Sequence, residues 1–133
     1  MRRLVPALIA VALLGCACGS DEPSPASSGN SDLADLTVTV DRDGDKGTPP
    51  EKIQLTCKAP TDSDACGAAA GVSAAALAPT PDGTACTQIY GGPETATIKG
   101  TIRGDAVNAS FSRQDGCEIE RWARVDPLLA QAK

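Results

Sequence analysis

TATIKGTIRGDAVNASF, Thr95 to Phe111, is the stretch on which the fold turns. Ala96, Ile98 and Ile102 alternate with Thr97, Lys99, Thr101 and Arg103; past Gly104-Asp105, Val107, Ala109 and Phe111 alternate with Asn108, Ser110 and Ser112. A period of two places the apolar residues on one face of a strand and the polar ones on the other. Two such runs broken at Arg103-Gly104-Asp105 predict an antiparallel hairpin. Upstream, Leu36-Thr-Val-Thr-Val40 has the same alternation, and Ile53, Leu55 and Cys57 repeat it after the charged, turn-rich DRDGDKGTPPE. These predict a second antiparallel pair.

Between the two pairs lies DACGAAAGVSAAALA, Asp64 to Ala78, in which Ala65, Ala68, Ala69, Val72, Ala75 and Ala76 share one helical face. Asp64 is the expected N-cap. Gly67 and Gly71 each weaken such a helix by about 1 kcal/mol relative to alanine, so it depends on the sheet to hold it. The closing GCEIERWARVDPLLAQAK reads as one more short strand around Ile119 to Trp122 before a frayed end. An α+β fold follows, an antiparallel sheet covered by one main helix.

The N-terminal MRRLVPALIAVALLGC has two arginines and then an apolar run from Leu4 to Leu14, shorter than the roughly 20 residues a membrane span needs. It reads as an export signal over residues 1–15. Leu13-Leu14-Gly15-Cys16 resembles a lipobox, which implies lipidation of Cys16 and a domain anchored on the outer side of the cell membrane. The alternative is an ordinary signal peptide cut near Cys18 or Gly19, giving a secreted protein. Cys18 is left open between acylation, a free thiol and removal. GSDEPSPASSGNSD, residues 19–32, has no aliphatic residue larger than alanine and reads as a tether, so that 16–32 form a lipidated, disordered leader. One small domain, 33–126, and a tail, 127–133, remain.

With a net charge of −5 and no basic cluster beyond Arg2 and Arg3, the chain lacks the electrostatic footprint of a nucleic-acid binder. Its single Trp, Tyr and Phe imply a thin core, so the cysteines gain weight as staples. Cys57, Cys66, Cys86 and Cys117 lie beyond the tether, and an even number in an exported domain implies two disulfides with three possible pairings. A zinc site is the rival, but there is no Cys-x2-Cys pair and no histidine. The absence of histidine also removes the usual base of serine and cysteine nucleophiles, which argues against an enzyme. No metal or cofactor is expected. Asp41, Asp43 and Asp45 match the start of a calcium loop, yet Lys46 and Lys52 occupy its glycine and glutamate positions. A solvated turn is the expectation there.

Taken in order, LTVTV at 36–40, LTCKAP at 55–60, Ala65-Cys66, CTQIY at 86–90, TATIKG at 95–100 and Ala106-Val107 through Phe111 to Gly116-Cys117-Glu118 resemble the subtilisin inhibitor-like family, small exported serine protease inhibitors of actinobacteria. The resemblance covers about residues 33–122. It implies a sheet of about five strands with one main helix and a short second one, the pairings Cys57–Cys66 and Cys86–Cys117, and a possible homodimer. By the chain-entropy model the two closures stabilise by roughly 3 and 4 kcal/mol. It further implies that the segment after Cys86 is an exposed loop entering a serine protease as a substrate would. Gln88–Ile89 is then the reactive bond, with Gln88 in the primary pocket and Cys86, Thr87 and Tyr90 as flanking contacts.

The sequence departs from that pattern in two places. Gln88 stands where the family carries a large apolar or basic residue, and Gly91-Gly92-Pro93 has one residue more between tyrosine and proline than is typical. An added glycine could soften the leaving side of the loop. The second reading is therefore a non-inhibitory envelope lipoprotein using the same fold as a binding or structural module, with Ile89 and Tyr90 packed against the sheet.

Overall fold

The computed structural model describes residues 32–44 and 46–133. The export signal, Cys16, Cys18, residues 19–31 of the tether and Asp45 lie outside the described residues.

Strands β1 (Ala34–Asp41) and β2 (Glu51–Cys57) come first, then helices α1 (Asp64–Gly71) and α2 (Ala74–Leu77). Strands β3 (Thr95–Ile102) and β4 (Asp105–Phe111) follow, and helix α3 (Gly116–Leu129) closes the domain. The four strands form one antiparallel sheet in the order β2-β1-β3-β4. Val38 sits opposite Ile53 on one side and Ile98 on the other, and Ile98 in turn faces Ala109. The alternation in the sequence thus becomes one continuous apolar face of Leu36, Val38, Val40, Ile98, Ile102, Val107, Ala109 and Phe111, all buried. The other face carries Asp35, Gln54, Thr56, Lys99, Asn108 and Ser110 and is exposed, as one side of an antiparallel sheet can be.

The hairpin turns at Arg103-Gly104, as expected, and both residues have positive φ, 51° and 84°. Arg103 is held in that conformation by its guanidinium, which donates to the carbonyls of Ala70 and Val72 at 3.0 and 2.7 Å and so caps the end of α1.

Several expectations are corrected. Among the described residues the sheet has four strands, not about five. Residues 119–122 belong to α3, the longest helix of the domain. Its N-cap is Asp115, whose carboxylate accepts the Glu118 N–H at 2.9 Å, and Trp122, Val125, Leu128 and Leu129 then fall at helical spacing onto the core. An apolar pair such as Ile119 and Trp122 is too short a window to separate strand from helix, and the cap decides. The residues expected to form a frayed tail are therefore core: Leu128, Leu129 and Ala132 are fully buried.

Finally, the alanine-rich segment makes two short helices instead of one. Ser63, rather than Asp64, caps α1 by accepting the Cys66 N–H at 3.1 Å. Val72 is extended, and Ser73 caps α2 by accepting the Ala76 N–H at 3.2 Å. A serine just past Gly71 offers the backbone a new start that a continuous helix would forgo. Cys57–Cys66, with Cα atoms 5.6 Å apart, then ties the end of β2 to α1.

Candidate functional site

From Pro79 to Glu94 the chain has neither helix nor strand, yet it is fastened along its length. Its root hangs on Arg121, a buried side chain of α3. Arg121 Nε donates to the Ala78 carbonyl at 2.9 Å, Nη2 to the Ser110 carbonyl at 3.2 Å, and Nη1 to the Glu118 carboxylate at 2.7 Å. The guanidinium also lies 4.9 Å from the centre of the Phe111 ring. Glu118 in turn accepts from the Thr80 hydroxyl at 3.0 Å. Four elements thus meet at one charged pair: β4, α2's exit, the loop and α3. The i,i+3 spacing of Glu118 and Arg121 is a helical signal, which a strand over Ile119 to Trp122 conceals.

Further along, Thr84 closes a turn on the Pro81 carbonyl through its N–H and its hydroxyl, at 3.2 and 2.7 Å. Cys86 is then bonded to Cys117, with Cα atoms 5.4 Å apart. Both disulfides have the pairing that the resemblance implies. One residue on, the Thr87 carbonyl accepts the Gly116 N–H at 3.0 Å, and four residues later the Gly91 N–H donates to the Arg113 carbonyl at 2.7 Å. The Arg113 anchor lies on the connection between β4 and α3, and the Gly116 anchor is the first residue of α3. The chain is strung between them like a bow, and Gln88, Ile89 and Tyr90 form its arc.

All three arc residues are exposed, Ile89 by 61% and Tyr90 by 65%, and these two are the exposed large hydrophobic residues of the described chain. The alternative arrangement, with Ile89 and Tyr90 packed against the sheet, is not the one found. Two large apolar side chains left in water beside a rigid support are the kind of surface that a partner covers. A cleft of about 470 Å³ runs beside the arc, lined by Ala85, Cys86, Thr87, Ile89, Ile119 and Glu120.

The glycines here are required by close approach. A Cβ on Gly116 would overlap the Thr87 side chain, and one on Gly91 would come within 2.9 Å of Ile119 Cδ1 and 3.2 Å of the Arg113 carbonyl. Gly91 is thus pressed against α3, with its N–H on the Arg113 carbonyl.

The acidic turn after β1 uses its carboxylates on its own backbone. Asp41 accepts the N–H groups of Asp43 and Gly44 at 3.1 and 2.9 Å, and Asp43 those of Lys46 and Thr48 at 3.3 and 3.2 Å. The Thr48 hydroxyl is the main cause that holds the Asp43 carboxyl below its ordinary 3.8. Cys86, Asp115 and Cys117 bring their side chains together at the loop, but the two sulfurs are bonded to each other and the Asp115 carboxylate caps α3.

No family model, curated protein or solved structure matches this chain.

Proposed function

We propose that the domain is a substrate-like inhibitor of serine proteases, with Gln88–Ile89 as the reactive bond. The observation that carries this reading is the arc of exposed residues held at one end by the Gly116 N–H at the start of α3, at the other by the Arg113 carbonyl, and spliced to α3 by Cys86–Cys117. A loop so fastened loses little freedom when it enters a protease cleft, so the ordering cost that weakens a free peptide is already met.

The chemistry then needs no group of the inhibitor's own. The protease serine adds to the Gln88 carbonyl, the Gln88–Ile89 bond breaks, and the new Ile89 amine is two residues from the Gly91 anchor, while the acyl carbon is one residue from the Thr87 anchor. Neither end diffuses away, and the amine re-adds to the acyl carbon faster than water removes it. Cys86 and Thr87 contact the protease on the acyl side and Tyr90 on the leaving side. A neutral amide in an apolar primary pocket gives up water for imperfect partners, a penalty on the order of 1–3 kcal/mol. Gln88 therefore marks a target whose pocket offers polar groups. We further propose that Cys16 carries a lipid holding the domain at the outer face of the cell membrane.

Titration of the purified protein and its Gln88→Met and Gln88→Lys variants against subtilisin, trypsin and a glutamyl-preferring protease tests the reading. Methionine is expected to tighten binding to subtilisin, and lysine to trypsin, by about tenfold to a hundredfold. Rapid digestion of all three forms, or indifference to all three proteases, would remove the inhibitory reading.

A further inference from the structure

Arg113 touches the leaving side of the loop twice. Its carbonyl accepts the Gly91 N–H at 2.7 Å, and its Nη1 donates to Glu94 Oε1 at 3.0 Å. Glu94 itself packs over Gly92: a Cβ there would lie 2.9 Å from the Glu94 Cδ, and Gly92 has φ +141°, a conformation that other residues rarely adopt. The second carboxylate oxygen, Glu94 Oε2, is enclosed and has no hydrogen-bond partner among the described residues. A carboxylate seated this way is stable only while its neighbour neutralises it, because an enclosed oxygen without a partner has lost water and gained nothing.

The geometry points to a clamp: resting on the inhibitory reading above, we infer that the Arg113–Glu94 pair is a positioning device for the reactive bond, holding Gly91-Gly92 so that the Ile89 amine released by cleavage stays in reach of the Gln88 acyl carbon. Neither side chain touches the reacting atoms. Both act through the two glycines, Gly91 by its N–H on the Arg113 carbonyl and Gly92 by its contact with Glu94. Loss of the guanidinium leaves Glu94 with an unneutralised charge and drives it from its seat. Gly92 then loses the wall that fixes it, and the Gly91 N–H loosens from the Arg113 carbonyl.

Full-length protein with Arg113→Met, Arg113→Lys or Glu94→Gln separates this from a general role in folding. Two readouts are taken: amide hydrogen exchange at Gly91 and at Gly116, and the ratio of intact to Gln88-cleaved inhibitor reached with catalytic amounts of subtilisin, starting from either form. For Arg113→Met the Gly91 exchange rate and the cleaved-to-intact ratio are each expected to rise about tenfold, while Gly116 exchange on the acyl side stays as in the wild type. Arg113→Lys restores most of both, and Glu94→Gln, which keeps a carbonyl for Arg113 and removes the charge, falls between. Unchanged Gly91 exchange in Arg113→Met overturns the clamp, as does an equal rise at Gly116, which would mean loosening of the whole connection. If the wild type never settles to a ratio but is digested to completion while Gly91 exchange responds as described, the inhibitory reading fails and takes the positioning role with it, leaving a structural clamp alone.

Discussion

Gly116 donates its backbone N–H to the carbonyl of Thr87 at 3.0 Å, joining the first residue of α3 to the residue before Gln88. The free N–H groups at a helix start need partners, and here one of them is met by the loop that the helix supports. The residue before Gln88 is therefore tied to the start of α3 by this bond and, one residue earlier, by Cys86–Cys117.

Gly116→Ala tests that coupling. The new methyl would overlap the Thr87 side chain, so Thr87 must turn away and its carbonyl moves with it. A loss of about 1–3 kcal/mol of stability is expected from thermal or urea unfolding, together with faster cleavage of the loop by subtilisin.

Replacing Cys86 and Cys117 together by serine removes the covalent splice but leaves the four-stranded sheet and its core intact. The unfolded chain gains the freedom of a loop whose ends are 31 residues apart, which amounts to about 4 kcal/mol. The variant should stay folded at room temperature with a lower denaturant midpoint. Its Gln88–Ile89 bond is expected to be cut and not resealed, which mass spectrometry of the reaction would read directly.

The end of the chain is core, and ending it at Asp126 should unfold the domain. Leu128, Leu129 and Ala132 are all lost in that truncation, and Leu128→Ala alone is expected to cost about 2–5 kcal/mol. Small domains have only about 5–15 kcal/mol in hand. Trp122, the sole tryptophan and buried in α3, reports the loss by fluorescence. A truncated protein with native emission and a native unfolding transition would contradict the packing.

Asp62 predicts a small acid-dependent effect. Its Oδ2 accepts the N–H groups of Ala59 and Lys58 at 2.9 and 2.7 Å, with Ala59 the larger cause, and these hold the carboxyl below its ordinary 3.8. A folded-state value below the unfolded one contributes stability that is complete above the unfolded value and lost as pH falls through the folded one. Asp62→Asn should therefore melt lower than the wild type at neutral pH, with the gap closing below about pH 4. Melting temperatures across that range would check it, and a gap that does not depend on pH would count against the hydrogen bonds to the carboxylate.

Much of the scaffold was legible from residues close together in the chain. Leu36 to Val40, Ile53 to Cys57 and Thr95 to Phe111 carry a two-residue period that only a half-buried strand satisfies, and Arg103-Gly104 marks the turn. Ile119 and Trp122 are too short a window to separate helix from strand; the Asp115 cap that decides is local, three residues before Glu118, whereas the burial of Leu128 depends on the sheet standing beneath it.

Period and turn chemistry act between neighbours, so the sequence by itself determined β1 to β4 and the two antiparallel pairs β1–β2 and β3–β4, while the pairing of β1 with β3 that joins them into one sheet came from the tertiary structure. Arg113 and Glu94 are 19 residues apart, and Arg121 and Ala78 are 43 apart. Nothing local to any of them says that they meet. Only the tertiary structure decided that Gln88, Ile89 and Tyr90 would stand in water between two anchors, because hydrogen bonds and enclosed charge act through space, and the sheet's packing on α3 sets which distant groups come within that reach.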